Sequence, residues 1–173
     1  MLPPLSHIFE ICLYSLLNFF PFLIFALYPF RDDLRFSRTK TGLLIVVLTF
    51  LQILFGLLAC FSTGNISAVL SLISTLSYAF FYFTVIRKSP GQLLFVLLMI
   101  SNIANLVVIT AKCLEGQFFP DFALLPYRYS MSLFMVIVEI FILIPVFIFL
   151  KKVITPAISC SQSFHEWRYL WLI

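Results

Sequence analysis

Glu139 is the residue whose placement asks most of its surroundings. It stands in Met135-Val-Ile-Val-Glu-Ile-Phe-Ile-Leu143, near the middle of an apolar run. A carboxylate at the centre of a bilayer costs about 2.5–3.5 kcal/mol on insertion scales. Such a group faces the inside of a bundle and is neutral or hydrogen-bonded there. Its chemistry would be that of a switch, a proton or a ligand contact; the plainer role is a neutral acid that ties two helices together. Asn102 and Asn105 are three apart, so they share a helix face. Amides donate to carboxyl groups, which makes these two the first expected partners of Glu139. Amides between membrane helices also serve as simple packing glue, at about 0.6 kcal/mol each.

A second set lies between two apolar runs. Phe118-Phe-Pro-Asp-Phe-Ala-Leu-Leu-Pro-Tyr127 is unusually apolar for a solvated loop. Phe118, Phe119, Asp121 and Tyr127 are its candidate ligand-contacting residues. Such a loop is expected to lie back on the bilayer or cap the bundle, either as part of a ligand surface or as an interfacial anchor. Ser67, Ser71, Ser74 and Ser77 recur at helical spacing, and small residues on one face let helices approach closely. They read as packing, as do Gln52 and Gly56.

No catalytic chemistry is expected from this chain. It shows no nucleophile–base pair, no Walker loop and no Gly-rich phosphate cradle, and its 5 glycines are scattered. Cys12, Cys60, Cys113 and Cys160 have no CxxC spacing and no paired histidines, so neither a metal nor another cofactor is expected. Cys12, Cys60 and Cys113 fall towards one side of the chain's layout, where a disulfide is geometrically open, although free thiols are commoner. His7 and His165 belong near opposite ends of the chain and cannot form one site. His165 leads straight into aromatic residues rather than a dimerisation helix, which argues against a phosphoacceptor role.

The elements that position these residues follow from composition. The chain has 173 residues, 62% of them hydrophobic and 10% charged, with a mean hydropathy of +1.11. A soluble domain is about a quarter charged, so the solvent implied here is lipid. Five apolar runs are long enough to span it at about 20 residues each: 8–30, 42–61, 66–86, 92–111 and 130–150. They are apolar on every side, which argues for helices and against alternating membrane strands. The expected fold is therefore all-α, a polytopic bundle of about five transmembrane helices. Residues 1–150 form the membrane domain and 151–173 a juxtamembrane tail. Pro21 and Pro145 lie within spans, where proline removes a backbone donor. Trp167, Tyr169 and Trp171 resemble an interfacial belt, and Leu172 and Ile173 read as the start of a sixth helix. An amphipathic tail on the membrane surface is the alternative.

Orientation follows from the cations. One side receives Arg31, Arg35, Arg38, Lys40, Arg87, Lys88, Lys151, Lys152 and Arg168, nine in all, and the other receives Lys112 and Arg128. Positive loops stay in the cytoplasm. The N-terminus, the 62–65 turn and the loop from 112 to 129 are thus expected outside, with the tail inside. The basic clusters are short, and no nucleic-acid partner is expected.

The phrases Tyr28-Pro-Phe-Arg31, Leu34-Arg-Phe-Ser-Arg-Thr-Lys-Thr41 and Glu166-Trp-Arg-Tyr-Leu-Trp-Leu-Ile173 frame the helices. With them the whole chain resembles the N-terminal membrane region of GHKL-type sensor histidine kinases of Gram-positive bacteria, loosely similar to Agr-type quorum-sensing kinases. That resemblance implies a homodimeric sensor in a bacterial cell membrane, an extracellular ligand and a cytoplasmic kinase domain in the parent protein. The phosphoacceptor His and ATP-binding boxes of the family are not in this sequence, and no residue here inherits their roles. The resemblance leads to an expected fragment, continuing past residue 173 into a further span. A small transporter subunit or an accessory membrane protein is the competing function. A transporter is favoured by matching broken helices and several midplane polar groups, and no repeat between the two halves is visible.

Overall fold

The computed structural model describes residues 5–62, 65–124 and 127–160. The aromatic tail, with His165, Trp167, Arg168, Tyr169, Trp171, Leu172 and Ile173, lies outside the described residues, as do Thr63 and Gly64 of the 62–65 turn. The order is α1 (Leu5–Leu27) with a 3-10 turn at Tyr28–Phe30, α2 (Arg38–Phe61), α3 (Asn65–Val85), α4 (Pro90–Phe118), a short α5 (Pro120–Ala123), and α6 (Tyr129–Phe149). A π turn over Leu150–Ile154 leads into α7 (Thr155–Cys160). Five of these segments are long and apolar enough to cross a membrane. The protein is an all-α, multi-pass membrane bundle.

Local chemistry sets the helix starts. Ser37 caps α2 by accepting from the Lys40 amide at 3.4 Å, and Ser89 caps α4 through Gln92 with Pro90 in its first turn. The backbone between α1 and α2 is clipped to the α3–α4 connection. The Arg35 amide donates to the Val85 carbonyl at 2.8 Å and the Arg87 amide to Asp33 at 2.9 Å. A Lys88–Asp33 ion pair at 3.3 Å closes the same junction. Arg31, Arg35, Arg38, Lys40, Arg87 and Lys88 thus gather at one end of the bundle, and α6 brings Lys151 and Lys152 to it.

The centre is built by α1, α4 and α6. Ile11, Leu23 and Ala26 of α1 are buried with Val96, Ile100, Val107 and Ala111 of α4 and Met131, Met135 and Val138 of α6. The α2–α3 pair lies outside this trio, packed along α1, with α3 touching α4 little. Tyr82 of α3 is fully buried and donates to the Ala26 carbonyl at 3.1 Å. That satisfies an acceptor in the last turn of α1, which the helix itself leaves open.

Two boundaries differ from the sequence reading. First, α4 runs on to Phe118 rather than stopping near Ala111, so Phe118 is helical and the loop begins at Phe119. The extra turns are amphipathic: Lys112 pairs with Glu115 one turn on at 2.7 Å, and Pro120 ends the run. Second, the chain stays helical beyond Lys151 and Lys152, as far as Cys160. The π turn falls just before Pro156, which has no N–H to give; Thr155 bonds Leu150 with its amide and, at 2.9 Å, its hydroxyl. Hydropathy alone ends a span at the first charged pair, although the backbone there has no reason to stop.

Candidate functional site

α1 to α4 enclose a cavity of about 390 Å³. Tyr14, Ser15 and Asn18 of α1 face it, and so do Gln52 and Gly56 of α2. Ser71, Ser74, Thr75 and Tyr78 line it from α3, and Ser101 and Asn105 from α4. It opens between α3 and α4, where Ser71, Thr75, Ser101 and Asn105 are exposed. Among the described residues no charged side chain lines it. The lining offers hydroxyls, amides and aromatic faces, in the size range of small-molecule sites.

Part of this polar wall is structural. The Gln52 amide donates to the Ser74 carbonyl at 3.0 Å and to the Ser77 hydroxyl at 3.1 Å, and Ser74 donates back to Gln52. Gln52, Ser74 and Ser77 therefore lock α2 to α3, as expected from small residues at helical spacing. Ser71 and Thr75 bond within their own helix. At Gly56 an added Cβ would come within 2.5 Å of the Ser15 hydroxyl, which would have to turn aside to admit it, so α1 and α2 approach closely here.

Tyr127 lines the cavity from the segment before α6. Its ring meets Tyr14 edge-on with centroids 5.0 Å apart. Its backbone has φ 58°, a left-handed conformation that costs a tyrosine about 1–3 kcal/mol. Burial pushes its phenol above the ordinary value, with Cys60 adding to the effect. The group is a neutral hydroxyl at physiological pH. Of the four loop residues singled out from sequence, Tyr127 alone lines the cavity. Phe118 stacks on Phe134 at 5.7 Å, Phe119 packs on Phe134 and Phe122, and Asp121 is exposed in the first turn of α5.

Immediately after Tyr127, the start of α6 is held by two acids that sequence reasoning passed over. Glu10 is 5% exposed and Glu115 fully buried. Glu10 accepts from the Tyr129 amide at 3.4 Å, pairs with His7 at 2.9 Å and lies 3.6 Å from Arg128. Arg128 is the N-cap residue of α6 and makes no side-chain cap. Glu10, reaching over from α1, fills that place and sets a negative group at the positive end of the helix. Glu115 accepts a hydrogen bond from Ser130 and pairs with Lys112. The signal available in sequence was an acid with a cation or imidazole one turn away: His7 with Glu10, and Lys112 with Glu115.

The residues expected to act with Glu139 are elsewhere. Glu139 is 6% exposed and lines a groove between α1 and α6 with Leu17 and Pro21, while Asn105 faces the cavity and Asn102 points outward, exposed. Neither amide bonds Glu139 among the described residues, and Glu139 Oε1 is buried without a partner. The reason is rotation. Ile100, Val107 and Ala111 form the buried face of α4, and at about 100° per residue Asn102 points about 200° away from Ile100.

Among the described residues no group of His, Cys, Asp or Glu side chains could hold a metal. No protein-family model, no curated protein and no solved structure matches this chain.

Proposed function

We propose that this chain is a membrane sensor domain, the receiving half of a two-component histidine kinase. Its cavity takes a small, uncharged ligand that combines an apolar body with hydrogen-bonding groups. One observation carries the reading: Tyr127, which lines the cavity, is covalently continuous with the clamped start of α6. A ligand that displaces Tyr127 pulls on Arg128, Tyr129 and Ser130, the three residues that Glu10 and Glu115 hold. From there α6 and its extension form a helical rod, Tyr129–Ser159, of about 45 Å. The rod ends beyond Lys151 and Lys152, so a displacement at one face is delivered at the other. The bias of cations towards the Arg31–Lys40, Arg87–Lys88 and Lys151–Lys152 end supports placing that end in the cytoplasm and Tyr127 outside. The resemblance to GHKL-type kinases supports a kinase as the output.

A second copy is the partner this reading requires. Leu98, Asn102 and Ile109 form an exposed seam on α4 at spacings of four and seven. Two copies in one membrane share an orientation, so their α4 helices lie parallel and Asn102 meets Asn102. An amide both donates and accepts, and the pair satisfies groups that lipid cannot.

The test is allelic replacement in the native host with Tyr127→Ala, read by transcript profiling and solute uptake. A sensor gives a small set of transcripts that shift together, the same set that moves when the gene is deleted. Unchanged transcripts with altered uptake would favour the transporter alternative, and no change in either would favour an accessory role.

A further inference from the structure

The groove between α1 and α6 is separate from the cavity and has the opposite character. It measures about 510 Å³. Leu17, Phe25, Leu143, Ile144 and Phe147 make its walls, and among the described residues lining it Glu139 is the only charged or titratable one.

We propose that this groove binds a lipophilic organic cation, an amine or onium ion with a bulky apolar body, which pairs its charge with Glu139. Three observations agree on a cation. The first is the carboxyl group: among the described residues Oε1 is buried with no hydrogen-bond partner, and no lysine, arginine or histidine of theirs lines the groove. The second is the backbone. Pro21 has no N–H, so the carbonyl of Leu17, four residues earlier, loses its helical donor. Leu17 and Pro21 both line the groove. Among the described residues lining it, no side chain other than Glu139 is polar, so no amide, hydroxyl or cationic side chain stands opposite these oxygens. The third is aromatic: Phe25 and Phe147, whose rings meet edge-on 6.1 Å apart at 69°, both line the groove. Ring faces attract cations, more strongly where water is absent.

Affinity and selection follow from where the groove lies. An anion in hydrocarbon is unfavourable alone, and a cation that is itself soluble in lipid neutralises it without carrying water in. In a low-dielectric setting the pairing is stronger than at a surface. An ordinary inorganic cation lacks the apolar surface that the walls match, and a neutral lipid lacks the charge. This binding is independent of the sensor reading, because it is measured on the purified chain and involves neither transcripts nor Tyr127.

Tetraphenylphosphonium is the probe. Binding is measured by equilibrium dialysis on the purified full chain in detergent, with Glu139→Gln and Leu143→Trp beside the wild type. Thermal unfolding establishes that each variant is folded. Saturable binding by the wild type, weakened about tenfold or more in both variants, is the expected result. Leu143→Trp blocks the groove while leaving the carboxyl group in place, so it reports on the site even if Glu139→Gln does not fold. No saturable binding, or equal binding in the folded variants, overturns the proposal. So does a cross-link between two copies through Ile140→Cys that the probe does not suppress, since a second copy would then fill the groove.

Discussion

Three buried acids in this bundle fall into two kinds. Glu10 and Glu115 sit where α1, α4 and α6 meet, each with a nearby cation or imidazole and each holding a group at the start of α6. Glu139 sits along α6 with no partner for its buried oxygen among the described residues. Burial is almost the same, 5%, 0% and 6% exposure, so burial is not what separates them. The difference is whether the neighbouring backbone and side chains were arranged around the charge. Where they were, the acid is part of the architecture. Where they were not, it remains free for something that arrives from outside the chain.

The two kinds should respond to truncation with opposite sign. Glu115→Ala carries the largest expected effect. It removes a fully buried group, strands Ser130 and leaves Lys112 without its partner. Breaking one side of a buried pair costs about 3–5 kcal/mol; Lys112 is 42% exposed and can turn to solvent, which places this case at the low end. Thermal unfolding in detergent should show a large fall in Tm, and Glu115→Gln, which keeps the bond to Ser130, should recover much of it. A small change in the alanine variant would break the distinction.

Glu10→Ala comes next, at about 2 kcal/mol. It loses a charge-assisted cap on the Tyr129 amide and the attachment of His7 and Arg128. Because Arg128 and Tyr129 adjoin Tyr127, the same variant should also raise the rate at which a maleimide modifies an introduced Asn18→Cys within the cavity. Destabilisation without faster labelling would separate the clamp from the cavity wall.

Glu139→Leu should do the reverse. Replacing a buried, unpartnered polar group by an apolar one of similar size is neutral or stabilising. A rise in Tm equivalent to about 1 kcal/mol is expected in the same assay. A fall comparable to that of Glu10→Ala would mean that Glu139 has a structural partner after all, and would place all three acids in one class.

Sequence made the helices legible and their pairing much less so. Hydropathy is a property of consecutive residues, and lipid as solvent turns it directly into spans; all five runs became helices. Which face of each helix points inward is decided by contacts between distant residues. Asn102, Asn105 and Glu139 share depth by position, yet α4 turns Asn102 outward and Asn105 towards α3. Glu10 meets the Tyr129 amide across 119 residues of sequence, a separation over which no local spacing speaks. Tyr127 was singled out as a loop aromatic, while the cavity it borders depends on α3 standing away from α4. The serine stripe was read as packing, which holds for Ser74 and Ser77 with Gln52; Ser71 and Ser74 also line the cavity, a second use of the same face.

The smallest effect on stability is expected at Tyr127, where two terms nearly cancel. Tyr127→Gly removes the edge-on contact with Tyr14, worth about 0.5–1.5 kcal/mol. It also relieves the left-handed backbone, which disfavours tyrosine by about 1–3 kcal/mol and glycine hardly at all. Glycine in turn raises the entropy of the unfolded chain, offsetting about 0.5–1 kcal/mol of that relief. The Tm should therefore move little in either direction. Access to the cavity should change much more, because a ring of its wall is gone: an introduced Asn18→Cys should react faster with a polar maleimide, while the same reagent's access to Leu143→Cys in the α1–α6 groove stays as it was. A large loss of stability would make Tyr127 a structural keystone of the clamp. A shift in both labelling rates would mean that the cavity and the groove are not independent, and that the acids on either side of α1 answer to one motion.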